Sequence, residues 1–375
     1  MAARGGRDDR PAGVVSTTVA VAMSGGVDSS VAAALLSAAG HRVFGIMLRL
    51  WAEPDAPEAA NRCCTLGAVD DARAVADRIG IPFSVIDVRD AFKAAVVDAF
   101  LAAAAAGDTP NPCFNCNRRV RFGLLLDQAV ALGADALATG HYARTRRAPD
   151  GTVELLRGVD ATKDQSYVLH ALDQAQLARA CFPLGAMLKT EVRATAERLG
   201  LLVAHRPDSV DLCWTAPDGA AGFLGRHLPA AVMAPGAIVD RTGRRLGTHA
   251  GLPRYTIGQR RGLGVATGEP VFVVGRDAVR NALVVGPAEA LGTNDVVVRR
   301  MHYSGGAAPD GPVRVTAQVR YRATAAAATL TPLPDGGAAV RFDAPVRAPA
   351  PGQGLVAWRD DDTVVLGGGT IAAAA

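Results

Sequence analysis

Residues Ser24-Gly25-Gly26-Val27-Asp28-Ser29-Ser30 constrain this chain more than any other segment. They follow an apolar run at 19–23 and lead into a helical pattern at 29–39. A strand, a glycine-rich turn and a helix start form a phosphate cradle, because turn amides and the unpaired N–H groups of the helix end point at one anion. Glycines bring backbone close to a phosphate with no Cβ between them, and the serine hydroxyls add donors. No lysine closes the loop, and no G-x-x-x-x-G-K-[ST] occurs in the chain, so this is not a Walker loop. An ordinary strand-to-helix turn is the plainer alternative. Seven residues in the right local context weigh against it.

The first half of the chain alternates. Its patterns predict strands at 19–23, 43–50, 83–88 and 136–139, and helices at 29–39, 66–79, 90–105 and 117–132. Gly40, Gly80, Gly133 and Gly200 stand where helices should stop. Such alternation implies an α/β domain with a parallel sheet covered on both faces. Ligands of these sheets bind at the carboxyl ends of the strands. The loop at Ser24, the loop before Asn117 and Thr139-Gly140-His141-Tyr142 all fall there.

Beyond about residue 205 helical periodicity thins. From about 295 short alternating runs at 313–321, 339–342, 355–358 and 363–365 predict a small β-barrel or sandwich. The expected division is a loose tail at 1–15, an α/β domain at 16–214, a small central linker domain at 215–285 and a C-terminal β-barrel at 286–375. Alanine runs at 102–106, 325–328 and 372–375 read as compositional bias.

A chain of 375 residues, 49% hydrophobic and 20% charged, is globular in composition. It has no apolar run of about 18 residues, so no membrane partner is expected. The first 15 residues lack the apolar stretch of a signal peptide, which points to the cytoplasm. The net charge of +4 is mild, but arginines cluster at 118, 119 and 121; at 144, 146 and 147; at 241, 244 and 245; at 260 and 261; and at 320 and 322. One such cluster is usually a solvated face. Five of them, taken together with the ordered motifs given below, favour an RNA partner.

Six cysteines, Cys63, Cys64, Cys113, Cys116, Cys181 and Cys213, accompany no secretory signal, so metal or sulfur chemistry is a better use for them than a disulfide framework. Cys181 suits a buried apolar position. Asn111-Pro112-Cys113-Phe114-Asn115-Cys116 places two thiols where a helix should open, among arginines that favour the thiolate. Asp208-Ser209-Val210-Asp211-Leu212-Cys213 puts another in a polar loop. Cys113-x-x-Cys116 could be half a zinc site or a redox pair. A zinc site needs four ligands, and adjacent Cys63 and Cys64 would complete it poorly.

The glycine loop resembles the pyrophosphate loop of ATP pyrophosphatases, the PP-loop or adenine nucleotide α-hydrolase-like fold. With it occur, in order, Asn111-Pro112 ahead of Cys116-Asn117, Ala138-Thr139-Gly140-His141-Tyr142, Lys163-Asp164-Gln165-Ser166-Tyr167, Tyr255-Thr256-Ile257-Gly258-Gln259-Arg260-Arg261-Gly262-Leu263-Gly264, Arg320-Tyr321-Arg322 and Pro351-Gly352-Gln353. This ordered set, from about residue 17 to 371, resembles the bacterial tRNA-specific 2-thiouridylases. The resemblance implies ATP-dependent thiolation of the wobble uridine: adenylation of its 2-oxygen, then sulfur transfer from a protein persulfide.

It implies Cys116 as nucleophile and Cys213 as persulfide carrier, leaving a Cys116–Cys213 disulfide for a reductant to open, and hence a mobile Cys213 segment. It implies ATP contacts from Ala22, Met23, Ser24, Gly25, Gly26, Val27, Asp28, Ser29, Leu48 and Gly140. Asp28 becomes the natural Mg²⁺ partner through ATP, its plain alternative being a helix N-cap. Asn111, Pro112 and Cys113 would meet the target base, and Lys163, Asp164, Gln165, Arg320 and Tyr321 would touch tRNA, with His141 and Gln353 at the contact region. The sulfur donor would be a cysteine desulfurase or a sulfur-relay protein. Cys113 stands where the family often has an acid, and it could act as a base only as thiolate. Three thiols also admit an iron–sulfur cluster, the less favoured reading. Rival readings are a cluster-dependent tRNA thiolase, an ATP-dependent amide ligase needing neither Cys116 nor Cys213, and a non-catalytic RNA-binding protein that releases no pyrophosphate.

Overall fold

The computed structural model describes residues 17–53, 66–208, 212–359 and 363–374. The tail at 1–15, Cys63 with Cys64, and Ser209-Val210-Asp211 lie outside these.

β1 (Thr18–Ala22) alternates β-branched and small residues and is buried on both faces, as the central strand of a parallel sheet requires. It pairs in parallel with β2 (Arg42–Arg49), and β2 pairs with β3 (Phe83–Asp87). On its other side lies β4 (Ala136–Ala138), with Val21 opposite Ala138. β5 (Ala143–Arg147) and β6 (Val153–Arg157) form a separate hairpin, and β7 (Ala180–Cys181) completes the sheet order β3-β2-β1-β4-β7. The strand order reverses between β1 and β4. Doubly wound sheets open their binding crevice at that point, so the Ser24 loop and Thr139-Gly140 share one crevice.

Helix α1 (Val27–Ala38) and helix α2 (Leu66–Ile79) flank the sheet. Gly40, Gly80, Gly133 and Gly200 take positive φ at helix ends, as expected. α1 begins two residues earlier than its pattern suggests. Gly26 is its N-cap, so Asp28 lies in the first turn and is not the cap. A long helix at 112–131, π-helical over Cys116–Leu125, starts five residues ahead of the expected position. Asn111 caps it by accepting from the Cys113 amide at 3.0 Å, and Pro112 occupies the first turn.

The central unit is a four-stranded sheet with order β10-β11-β8-β9, made by β8 (Gly236–Asp240), β9 (Arg245–His249), β10 (Phe272–Asp277) and β11 (Ala282–Gly286). Tyr255 and Leu263, from the 255–264 motif, pack in its small core with Ile238 and Val273. The C-terminal unit is a closed barrel of six strands: β12 (Gly292–Tyr303), β13 (Val313–Gln318), β14 (Ala326–Pro332), β15 (Ala338–Arg347), β16 (Gly354–Arg359) and β17 (Val365–Ala374).

Three expectations are corrected here. β13 stops at Gln318, and Arg320-Tyr321 lies in a turn whose Arg322 has φ 63. The alanines at 326–328 form a strand; Ala328 is fully buried in the barrel, where a tight interior rewards small side chains over intrinsic propensity. The last strand begins at Val365 and takes in the alanine run.

The barrel also shares the core of the α/β unit. Val356, Trp358 and Val365 pack in one cluster with Phe92, Phe122 and Leu137. Tyr167 donates to the Gly354 carbonyl at 2.9 Å, and the Trp358 indole N–H donates to the Ser166 hydroxyl at 3.3 Å.

Candidate active site

One cavity of about 870 Å³ opens at the carboxyl ends of β1 and β4. Its walls hold the whole loop from Ala22 to Ser29, with Leu48, Gly140 and His141. They also hold Asn111, Pro112, Cys113, Cys116 and Cys213, and, from the other expected RNA contacts, Lys163, Gln165 and Tyr321. Asp164, Arg320 and Gln353 are not among the wall residues. The Asp164 carboxylate is turned inward, accepting from the Gly158 and Ser166 amides and pairing with Arg157 at 2.9 Å. Gln353 donates to the Thr109 carbonyl at 2.7 Å, and Arg320 is an exposed side chain on the barrel turn.

The phosphate side follows from the loop. Gly25 has φ 70, a conformation glycine adopts freely. The Ser24 amide donates to the Ser29 hydroxyl at 3.2 Å, and Ser30 folds back on the Gly26 carbonyl at 2.8 Å. A Cβ on Gly140 would sit 2.8 Å from the Ser29 amide nitrogen and 2.9 Å from Asp28, so only glycine lets the β4 end pass so close to the start of α1.

Several groups here have no local sequence signature. Lys189, first residue of the helix Lys189–Arg198, reaches Asp28 with its ammonium at 2.7 and 2.8 Å from the two carboxylate oxygens and Asp208 at 2.9 Å. Tyr142 donates its hydroxyl to Asp28 at 2.8 Å; burial first, and the Asp28 charge second, hold that phenol well above its ordinary range. Burial pulls the Asp208 carboxyl upward, but hydrogen bonds from Lys163 and Lys189 outweigh it and hold it at about 2. Arg206 donates to the Gly25 carbonyl at 2.6 Å and pairs with Asp71. Asp28 and Lys189 are 161 residues apart, so spacing could not join them.

The sulfur side is built on the 112–131 helix. Cys113 and Cys116 are one turn apart at its start. Cys113 opens onto the cavity but sits deep in surrounding protein. That burial, with Cys116 beside it, pushes its thiol up to about 11 against a weaker pull from Arg121. The lowering expected from nearby arginines is therefore outweighed by burial at Cys113. His141 is held neutral, down to about 3, by burial and then by the Arg121 charge; its Nδ1 is 2.7 Å from the Thr139 hydroxyl.

Beyond Cys213, Trp214 is buried edge-on against Phe223 and Phe100 at 4.7 and 5.5 Å. Its carbonyl accepts from Glu53 at 3.4 Å. The segment expected to move is thus anchored on its C-terminal side. Glu53 pairs in turn with Arg226 at 2.7 Å and His227 at 2.8 Å.

Among the described residues no group of three or more His, Cys, Asp or Glu stands close enough to hold a metal ion. Asp28 offers hard oxygens, but both already face the Lys189 ammonium.

A glycine loop opening α1 at the switch point of a parallel sheet defines the class: an α/β nucleotide-binding domain of the HUP type. Family profiles agree. One described as "tRNA methyl transferase HUP domain" matches residues 17–217, "tRNA methyl transferase PRC-barrel domain" matches 221–287, and "Aminomethyltransferase beta-barrel domain" matches 293–371. The chain is 49% identical over 353 residues to the tRNA-specific 2-thiouridylase MnmA of Moorella thermoacetica, covering 94% of this chain and 98% of that one. It is 47% identical over 357 residues to that of Heliobacterium modesticaldum, covering 94% and 92%. It belongs to the family of tRNA-specific 2-thiouridylases. Solved structures are more distant: the U34-tRNA thiolase NcsA from Methanococcus maripaludis, with its [4Fe-4S] cluster, is 20% identical at TM-score 0.35, covering 56% of this chain and 63% of that one.

Proposed function

We propose that this protein uses ATP to replace the 2-oxygen of the wobble uridine of tRNA with sulfur. The observation that carries this reading is the single cavity whose walls include both the Ser24–Ser29 cradle and the Cys116 and Cys213 thiols. An amide ligase has no use for those thiols beside its nucleotide.

Oxide is a poor leaving group, so the uridine oxygen first attacks the α-phosphate and pyrophosphate departs. Amides at Gly25, Gly26 and the start of α1 stabilise charge that develops on the phosphates. Leu48 and Met23 give the adenine an apolar wall. The terminal sulfur of a Cys213 persulfide then bonds carbon 2, and the C–O bond to AMP breaks. The Cys116 thiolate attacks the Cys213 sulfur, releasing the thiocarbonyl and leaving a Cys116–Cys213 disulfide, which a two-electron thiol reductant reopens. The magnesium expected with ATP would ride on the nucleotide's own phosphates.

The wobble base must leave its stack to enter the cavity. Asn111 and Pro112 meet it at the cysteine helix, and Lys163, Gln165 and Tyr321 line the approach. Asp164 and Gln353 support the site from behind rather than touching RNA. A cysteine desulfurase or relay protein loads Cys213, and a tRNA substrate places the reaction in the cytoplasm. Domain limits near 214 and 286 fit this reading. Among the described residues no helix is long and apolar enough to cross a membrane.

The test is direct. Protein, ATP, Mg²⁺, a persulfide source and unmodified tRNA are incubated, and the digested nucleosides are weighed. The expected product is uridine with one oxygen exchanged for sulfur, lost in Cys116→Ser while pyrophosphate release persists. Turnover that survives serine at both Cys116 and Cys213 would refute the sulfur chemistry.

A further inference from the structure

The cradle lacks the lysine that other phosphate loops carry. The fold supplies one from elsewhere. Lys189 is a wall residue of the cavity, and its side chain is only 10% exposed. Its ammonium touches Asp28, on the first turn of α1, where the dipole and free amides favour an anion. A second carboxylate, Asp208, holds it from the far side at 2.9 Å, and the Tyr142 ring lies 5.8 Å away. Asp208 keeps two other cations, Lys163 at 2.8 Å and Arg193 at 2.8 Å. The cluster therefore interleaves Asp28, Asp208 and Asp160, which accepts from the Lys189 backbone amide at 2.9 Å, with the cations Lys189, Lys163 and Arg193.

We propose that Lys189 is the cradle's missing phosphate-binding cation, held by Asp28 before nucleotide binds and handed to the β- and γ-phosphates of ATP when it does. This rests on the ATP reading above. A buried ammonium needs an anionic partner throughout. Asp208 remains its partner during the exchange, and Asp28 is the partner it gives up. Phosphate and Asp28 thus compete for one ammonium. Lys189 positions phosphate charge and transfers no proton.

Competition gives a sign that a merely structural lysine would not. Binding of ATP, AMP and adenosine is measured by calorimetry, with magnesium and again with a chelator, on the full-length protein. Lys189→Gln is expected to weaken ATP at least tenfold in chelator and adenosine by less than twofold. Lys189→Arg should recover most of that loss. Asp28→Asn, which removes the competitor, should tighten metal-free ATP several-fold, and this variant keeps every cation in place. Thermal melting shows which variants fold. Were Lys189→Gln to misfold, the Arg and Asn variants would still decide. Unchanged metal-free ATP affinity in Lys189→Gln, or weaker metal-free binding in Asp28→Asn, would overturn the proposal and leave the ATP reading standing. Wild-type protein that bound neither ATP nor AMP would overturn both.

Discussion

At the scale of single residues, burial decides which groups carry charge in the site. His141 is neutral in the folded protein down to about 3, against 6.5 for an ordinary histidine, because burial and Arg121 oppose its protonation. Below pH 6.5 the unfolded chain takes up a proton that the native imidazole refuses. The stability this group contributes is therefore full above pH 6.5 and declines as pH falls towards 3. Removing it should flatten that decline: the melting temperature of His141→Gln should change less between pH 6.5 and 4 than that of the wild type. An unaltered slope would mean that His141 is not the group responsible. Sequence disclosed the residues that act through local pattern, the Ser24–Ser29 loop and the cysteines at a capped helix start. It did not disclose Lys189, Tyr142 or Asp208 as site residues, because their meaning lies in partners brought together only by the folded sheet. Nor did it disclose that burial outweighs the arginines at Cys113, since burial has no signature in three neighbouring letters.

Among the elements, the segment leading to the cysteine helix is fastened to residues far along the chain. The Thr109 amide donates to Pro351 at 2.7 Å, Arg276 donates to the Gly107 carbonyl at 2.6 Å, and Arg299 pairs with Asp108 at 3.2 Å. Gly352 has φ 89, and a Cβ there would lie 2.5 Å from both the Asp108 Cβ and the Thr109 amide nitrogen. Gly352→Ala should cost about 2 kcal/mol or more, from backbone strain plus displacement of the segment. It should cut thiolation at least tenfold while ATP affinity, set at the other end of the cavity, stays within twofold. Chemical denaturation and parallel activity and binding assays check this. A variant that loses ATP binding equally would show that the bracing is not local. Four of the five parallel-sheet strands and the glycine stops were plain in the periodicity; β7, only two residues long, was not. The barrel was read less completely, because β14 and β17 are rich in alanine and glycine, residues with little strand propensity of their own that take strand geometry by pairing within the closed barrel.

The whole molecule presents its arginines unevenly. Arg146 and Arg244 are engaged by Glu154 and Asp240, whereas Arg118, Arg119, Arg260, Arg261 and Arg320 are exposed on three different units. If these five meet phosphates, the affinity for tRNA should fall with salt at a log–log slope of about −3.5 to −4.5. Fluorescence titrations of labelled tRNA across a salt series give that slope, and one near zero would remove the arginines from the interface. The shared core sets a further condition on the whole. Residues 351–353 fasten the segment before the cysteine helix, and Trp358 fills the core beneath it, yet both come late in the chain. On the ribosome the cradle residues emerge long before these. A nascent chain would hold its phosphate loop well ahead of the residues that fasten the segment before Cys113 and Cys116, so the two walls of the cavity come together only after the barrel strands have been made.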